Sequence, residues 1–266
     1  MVKTNLFWGL ILVIAGSLFL AANYGYINFN SGLLWPIFLI LLGVFTLLGR
    51  GFQKNSDSGS EKIAIPLDGA KKGLVRIEHG AGRISISGKT KPGEFLSGSF
   101  QDVDVRTDRV GDELRVRLGS KLPGSAFWMF PWNWGAHRRE WAFSLNPDVP
   151  LAFDIDTGAS ENILDLRDLK VESLDLDTGA SSNTLILPEK AGFTHADISS
   201  GAASHEITVP KNVAADIRIE SGLSGITIDE KRFPRSGSHY ISPDFATAAN
   251  KVEINVETGV SSVTIK

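Results

Sequence analysis

The sequence predicts an N-terminal transmembrane α-helical hairpin followed by an all-β domain, a β-solenoid-like stack of strand–turn–strand repeats about 21 residues long. Three observations carry this. Two uncharged apolar runs open the chain. No stretch after Gly51 keeps a helical period. One phrase recurs: FDIDTGAS from Phe153 and LDLDTGAS from Leu174, with looser copies RIEHGAG at Arg76, ADISSGAAS at Ala196, RIESGLSG at Arg218 and NVETGVSS at Asn255. Each copy alternates apolar and polar residues, reaches a small residue or His before Gly, then alternates again. Alternation of period two is a half-buried strand, and the glycine cluster is a turn. The glycines are Gly80, Gly158, Gly179, Gly201, Gly222 and Gly259, and the three steps from Gly158 to Gly222 are 21, 22 and 21 residues. A fixed period of this size marks units that bury their apolar faces only by stacking.

The elements follow in order. Residues 1–49 hold two runs, Leu6–Ala22 and Leu33–Gly49, slightly shorter than the ~20 residues that cross an average bilayer. Both begin near a tryptophan, Trp8 and Trp35, and carry a glycine eight residues later, Gly16 and Gly43. Small residues at matched depth let two helices approach closely, and Pro36 sits in a first turn, where its missing N–H costs nothing. A second span within ten or so residues argues against a cleaved signal peptide. Lys3 precedes the spans and Arg50 and Lys54 follow them, with no charge in the connection. The positive-inside rule then places both termini and the β domain in the cytoplasm of a multi-pass cell-membrane protein.

Residues 50–62 are a polar, flexible linker. Residues 63–151 form an N-terminal β portion of irregular strands. The aromatic insert 127–143, FWMFPWNWGAHRREWAF, lies within it and carries Trp128, Trp132, Trp134 and Trp141 beside Arg138 and Arg139. Two readings fit the insert: a cap on the open end of the stack, or a loop docked at the headgroup layer of an anionic leaflet. The stiff turn Asn146–Pro150 follows, and residues 152–266 are the regular repeat.

The paired spans with Trp8-Gly9…Gly16 and Leu34-Trp35-Pro36…Gly43 resemble the transmembrane region of Lia-type cell-envelope stress proteins. EWAFSLNPDVPLAFDIDTGAS and LDLDTGASSNTLILP resemble the toast-rack β domain of LiaF-like cell wall-active antibiotics response proteins. The resemblance covers nearly the whole chain. It implies a toast-rack fold and a bacterial membrane protein that modulates a histidine kinase or a similar envelope-stress regulator.

Composition bounds the chemistry. With 266 residues and 42% apolar content the chain can build one sizeable core. A net charge of −3 excludes a generally basic nucleic-acid binder. The absence of cysteine removes disulfides, thiolate nucleophiles and Cys-type metal sites. There is no GxSxG, HExxH or P-loop, and Gly80-Ala81-Gly82 lacks the third glycine and the helix of a dinucleotide site. No catalytic residue, cofactor or small-molecule substrate is expected.

Aligned on the glycine, the position four before it holds Arg76, Asp154, Asp175, Asp197, Arg218 and Asn255, and the position two before it holds Glu78, Asp156, Asp177, Ser199, Glu220 and Glu257. If consecutive repeats stack, Asp154, Asp156, Asp175, Asp177 and Asp197 crowd one solvent-facing strip, at a cost of a few tenths of a kcal/mol per like-charged pair. Arg218, a divalent cation or a basic partner surface would offset it; a solvated face screened by salt is the plain alternative. Four residues after the glycine, Asn162, Asn183 and His205 read as a short polar stack inside the core. A metal at His205 and His195 is the weaker reading, because the sequence places no carboxylate or further His at ligand spacing. The leading expectation is therefore a membrane-anchored binding protein acting on a signalling partner. The runner-up is a structural scaffold that self-associates through the ends of its β-stack, starting from the strand VTIK, which stops mid-repeat with no cap.

Overall fold

Period-two alternation sets strands throughout the described residues, 60–121 and 139–266 of the computed structural model. In chain order they are β1 (Glu61–Pro66), β2 (Lys72–Ser87), β3 (Glu94–Phe100), β4 (Val103–Val110), β5 (Glu113–Ser120), β6 (Arg139–Leu145), β7 (Pro150–Asp165), β8 (Lys170–Ile186), β9 (Phe193–Thr208), β10 (Ala214–Ile228), β11 (Arg235–Ser236), β12 (His239–Ile241) and β13 (Lys251–Ile265). The chain divides into two compact units, Met1–Ser56 and Asp57–Lys266, and these strands belong to the second. The expected spans, with Trp8, Gly16, Trp35, Pro36 and Gly43, lie outside the described residues, as do Trp128, Trp132, Trp134 and Arg138.

Six long strands run parallel and in register in the spatial order β2, β7, β8, β9, β13, β10. Each is one repeat. The expectation of strand, turn, strand needs correction, because the chain does not reverse at the glycine. Thr157 pairs with Thr178 before it and Ala159 with Ala180 after it, so the same neighbour continues on both sides. The glycine is a corner. Gly158 and Ala159 both face outward, so buried positions pass from odd numbers (Phe153, Ile155, Thr157) to even ones (Ser160, Asn162, Leu164). Glycine is required there by close approach: a Cβ on Gly158 would lie 2.5 Å from the Gly80 carbonyl oxygen, and one on Gly179 2.8 Å from that of Gly158.

Stacking is not strictly consecutive. β13 enters between β9 and β10, so Ile265 pairs with Ile207 on one side and Ile228 on the other. The strand ending in VTIK is interior, which overturns its reading as the uncovered end. β10 is the last long strand, and the hairpin β11–β12 covers only Asp216–Arg218 of it. At the opposite end β2 serves two partners. Its first half, Lys72–Glu78, pairs with β5, which pairs with β4; its second half, Gly82–Ser87, pairs with β6, and from there the sheet continues to β3 and β1.

Both sides of the corner contribute to one core, from Val75, Ile77, Ile84 and Ile86 of β2 to Val252, Ile254, Val263 and Ile265 of β13. Trp141, Phe95, Phe100, Phe153 and Phe233 are its largest buried side chains. Each stabilises by about 1.5–3 kcal/mol relative to exposure. Trp141 thereby leaves the insert to which the sequence assigned it. It stands in β6, fully buried; its Nε1 donates to the Gln101 carbonyl at 2.8 Å, and its ring meets His79 edge-on at 4.5 Å. A side chain so placed cannot reach a headgroup layer. Arg139 also belongs to β6, with its side chain mostly covered and a guanidinium N–H donating to the Lys121 carbonyl.

Candidate functional site

In-register parallel pairing turns each repeat position into a row across the sheet. The row four residues before the corner reads, strand by strand, Arg106, Arg117, Arg76, Asp154, Asp175, Asp197, Asn255 and Arg218. Three adjacent arginines meet three adjacent aspartates. The next outward row runs Glu78, Asp156, Asp177, Ser199, Glu257 and Glu220. The five aspartates expected on one strip are therefore neighbours. Pairing puts Asp154 beside Asp175 beside Asp197, and Asp156 beside Asp177.

The compensating groups differ from those expected. Arg76 closes the boundary, its Nε donating to Asp154 at 2.7 Å. At the other end Asn255 donates to Asp197 at 2.9 Å, and His195 Nε2 lies 3.0 Å from the same carboxylate. Arg218 is displaced from Asp197 by the inserted β13, and it pairs with His239 instead. Among the described residues no cation pairs with Asp156, Asp175 or Asp177. Burial, then the neighbouring Asp154, Asp177 and Asp197, push the Asp175 carboxyl up. The arginine end surrounds a shallow depression of about 370 Å³ lined by Arg76, Arg106, Arg115 and Arg117. Acids offset it in part: Asp104 lies 3.1 Å from Arg106, and Glu113 lies 2.6 Å from Arg115.

The sequence missed Arg106 and Arg117, because β4 and β5 carry no corner glycine and do not announce themselves as rungs. It also missed Glu253, which β13 sets beside His195 at 3.4 Å. His195 thus has two carboxylate neighbours after all, while His205 is buried on the opposite face. The two histidines do not converge, and among the described residues no group of three metal-ligating side chains does.

Inside the corner the expected polar stack is present and longer than expected. Asn162 Nδ2 donates to Asn183 Oδ1 at 2.7 Å, Asn183 Nδ2 meets His205 Nδ1 at 3.1 Å, His205 Nε2 meets the Ser200 hydroxyl at 2.9 Å, and Ser200 donates to Thr258 at 2.9 Å. The amide donating to Nδ1 assigns the imidazole proton to Nε2. Ser200 therefore receives a hydrogen bond from the ring and gives its own proton to Thr258. His205 cannot take that proton, so this Ser–His–Asn trio is not an activated nucleophile. Burial lowers the His205 pKa and keeps the ring neutral.

Residues 53–209 match the family described as the N-terminal domain of toast_rack, DUF2154. Residues 6–47 match the LiaI-LiaF-like transmembrane region. Among solved structures, a candidate cell adhesion protein of Clostridium sporogenes ATCC 15579 superposes with a TM-score of 0.71 at 20% identity, covering 78% of this chain and 98% of that one. A candidate adhesin of Bacteroides fragilis NCTC 9343 gives a TM-score of 0.27 at 10% identity, over 77% of this chain and 97% of that one. No curated protein matches the sequence.

Proposed function

Given that the chain belongs to the toast-rack N-terminal domain family and carries a LiaI-LiaF-like transmembrane region, we propose that it holds or releases a cell-envelope stress signalling partner, such as a sensor kinase, by binding rather than by chemistry. In this reading two spans, Leu6–Ala22 and Leu33–Gly49, anchor the protein with both termini and the β domain in the cytoplasm. Residues 50–62 tether the domain, and Trp128, Trp132, Trp134 and Arg138 meet the headgroups. The row Arg106–Arg117–Arg76–Asp154–Asp175–Asp197 is the observation that carries the proposal. Carboxylates left unpaired at Asp156, Asp175 and Asp177 repel one another across neighbouring strands, which costs stability. A basic partner surface laid across them relieves that repulsion and fixes orientation, because arginines lie at one end of the same row and acids in its middle.

The test replaces the chromosomal copy with Asp156→Asn/Asp175→Asn/Asp177→Asn and reads an envelope-stress reporter with and without a cell-wall antibiotic. The variant should behave like the deletion strain while accumulating to wild-type levels. Wild-type output from the triple variant removes the docking role. A deletion that leaves the reporter unchanged in both conditions removes the signalling role.

A further inference from the structure

Besides the two-residue β11, which carries Arg235, the stack ends in three strand edges among the described residues, and they are not equivalent. The β4 edge carries Asp104, Arg106, Asp108 and Arg109, and the β1 edge carries Glu61, Lys62 and Pro66. Charge and proline are the usual protections of an exposed edge. The third edge is the second half of β10, beyond the stretch covered by β12. It reads SGLSGITI from Ser221 to Ile228, eight residues with no charge and no proline. On the side away from β13 its backbone faces no strand among the described residues.

Two further features coincide there. At the position four after the glycine, the inner strands bury their side chain completely: Val263 is 0% exposed and His205 1%, whereas Ile226 is 41% exposed. The core simply stops at Ile226. At the position one after the glycine, the outer face carries Ala81, Ala159, Ala180 and Ala202, then Val260 and Leu223 on the last two strands. Val260 and Leu223 are 60% and 76% exposed. An apolar patch thus adjoins the one unprotected edge.

The geometry points to a second copy of this chain as the occupant, its own Ser224–Ile228 paired antiparallel so that two stacks close a symmetric dimer. Only this pairing joins unprotected edge to unprotected edge; a head-to-tail contact would set β10 against the charged, proline-bearing β1. A two-fold contact is also closed, so it leaves no free end. The register that puts Ile226 opposite its own copy puts Ser224 opposite Ile228, continuing the core across the junction. The membrane anchor confines copies to one surface and raises their effective concentration. This inference stands apart from the acidic-row reading, since the two use different surfaces.

The absence of cysteine allows a direct test in membranes with the full chain. Ile226→Cys, Ala64→Cys and Thr107→Cys are each oxidised and run without reductant. The expected result is a dimer band from Ile226→Cys alone, because facing residues of an antiparallel pair lie within disulfide reach. No dimer from Ile226→Cys overturns the proposal. So does a disulfide formed only when Ala64→Cys and Ile226→Cys chains are mixed, which would mean head-to-tail stacking.

Discussion

Two polar systems cross the same strands at right angles to the chain, one outside and one inside, and they obey different rules. The outer row from Arg106 to Arg218 is charged, exposed and incompletely paired. The inner ladder from Asn162 to Thr258 is neutral, buried and nearly satisfied. Water screens the outer row, so each pair there changes stability by tenths of a kcal/mol and leaves the face free for a partner. Nothing screens the ladder, so each missing bond is felt in full. Identical rungs thus yield a surface for binding and an interior for holding register, and the corner glycine separates them.

The largest break in this contrast should come from the corner itself. Gly158→Val drives a side chain against the Gly80 carbonyl, and since backbone cannot step aside, the full chain should lose about 3 kcal/mol in denaturant unfolding. A normal midpoint would show that the corner tolerates a Cβ. Next comes the ladder. Asn183→Leu removes the donor to His205 and the acceptor for Asn162, stranding two buried polar groups, and should cost about 2–3 kcal/mol by the same measurement. Asp175→Asn, a polar change of similar size on the outer face of the same strand, serves as its counterpart below.

Acid probes the interior without mutation. Burial, aided by Arg139, lowers the His79 pKa from 6.5 to about 4, so the unfolded chain binds the proton first as pH falls. Stability should be complete above about pH 6.5 and drop by about 2 kcal/mol between pH 7 and 5, with His205 adding in the same direction. His79→Phe, which keeps a ring against Trp141, should flatten this profile; an unchanged slope would assign the acid sensitivity elsewhere. The smallest effect belongs to the outer row. Asp175→Asn relieves repulsion from Asp154, Asp177 and Asp197 and should raise stability by a few tenths of a kcal/mol. A loss instead would mean that the row is structural.

Much of this was legible in the residues. The alternation around each glycine marked the rungs, though not that the chain runs straight through the corner in parallel pairing, and the column of Asn162, Asn183 and His205 and the acidic strip were legible on the condition that the repeats stack. What stayed hidden has a common physical cause. Rungs that share one pattern pair equally well in several orders, so exchanging β10 and β13 leaves no mark on hydrophobic periodicity; only the 37-residue step from Gly222 to Gly259 hints at it. The displaced Arg218 and the His195–Glu253 contact follow from that exchange. Buried Trp141 departs from the interfacial reading of the insert and not from the cap reading; an aromatic cluster beside arginines fits both until the strand direction shows which ring points inward.

The exchange also has a consequence in time. β13 comes after β10 in the chain, yet β10 reaches β9 only through it. While the chain is being made, β9 and β10 must therefore wait as two separate open edges, divided by the gap that one later strand will fill. Parallel pairing across such distances closes long loops and is slow. The late strand is a keystone: damage near residues 251–265 should free both neighbours at once, where the loss of a terminal rung would free only one.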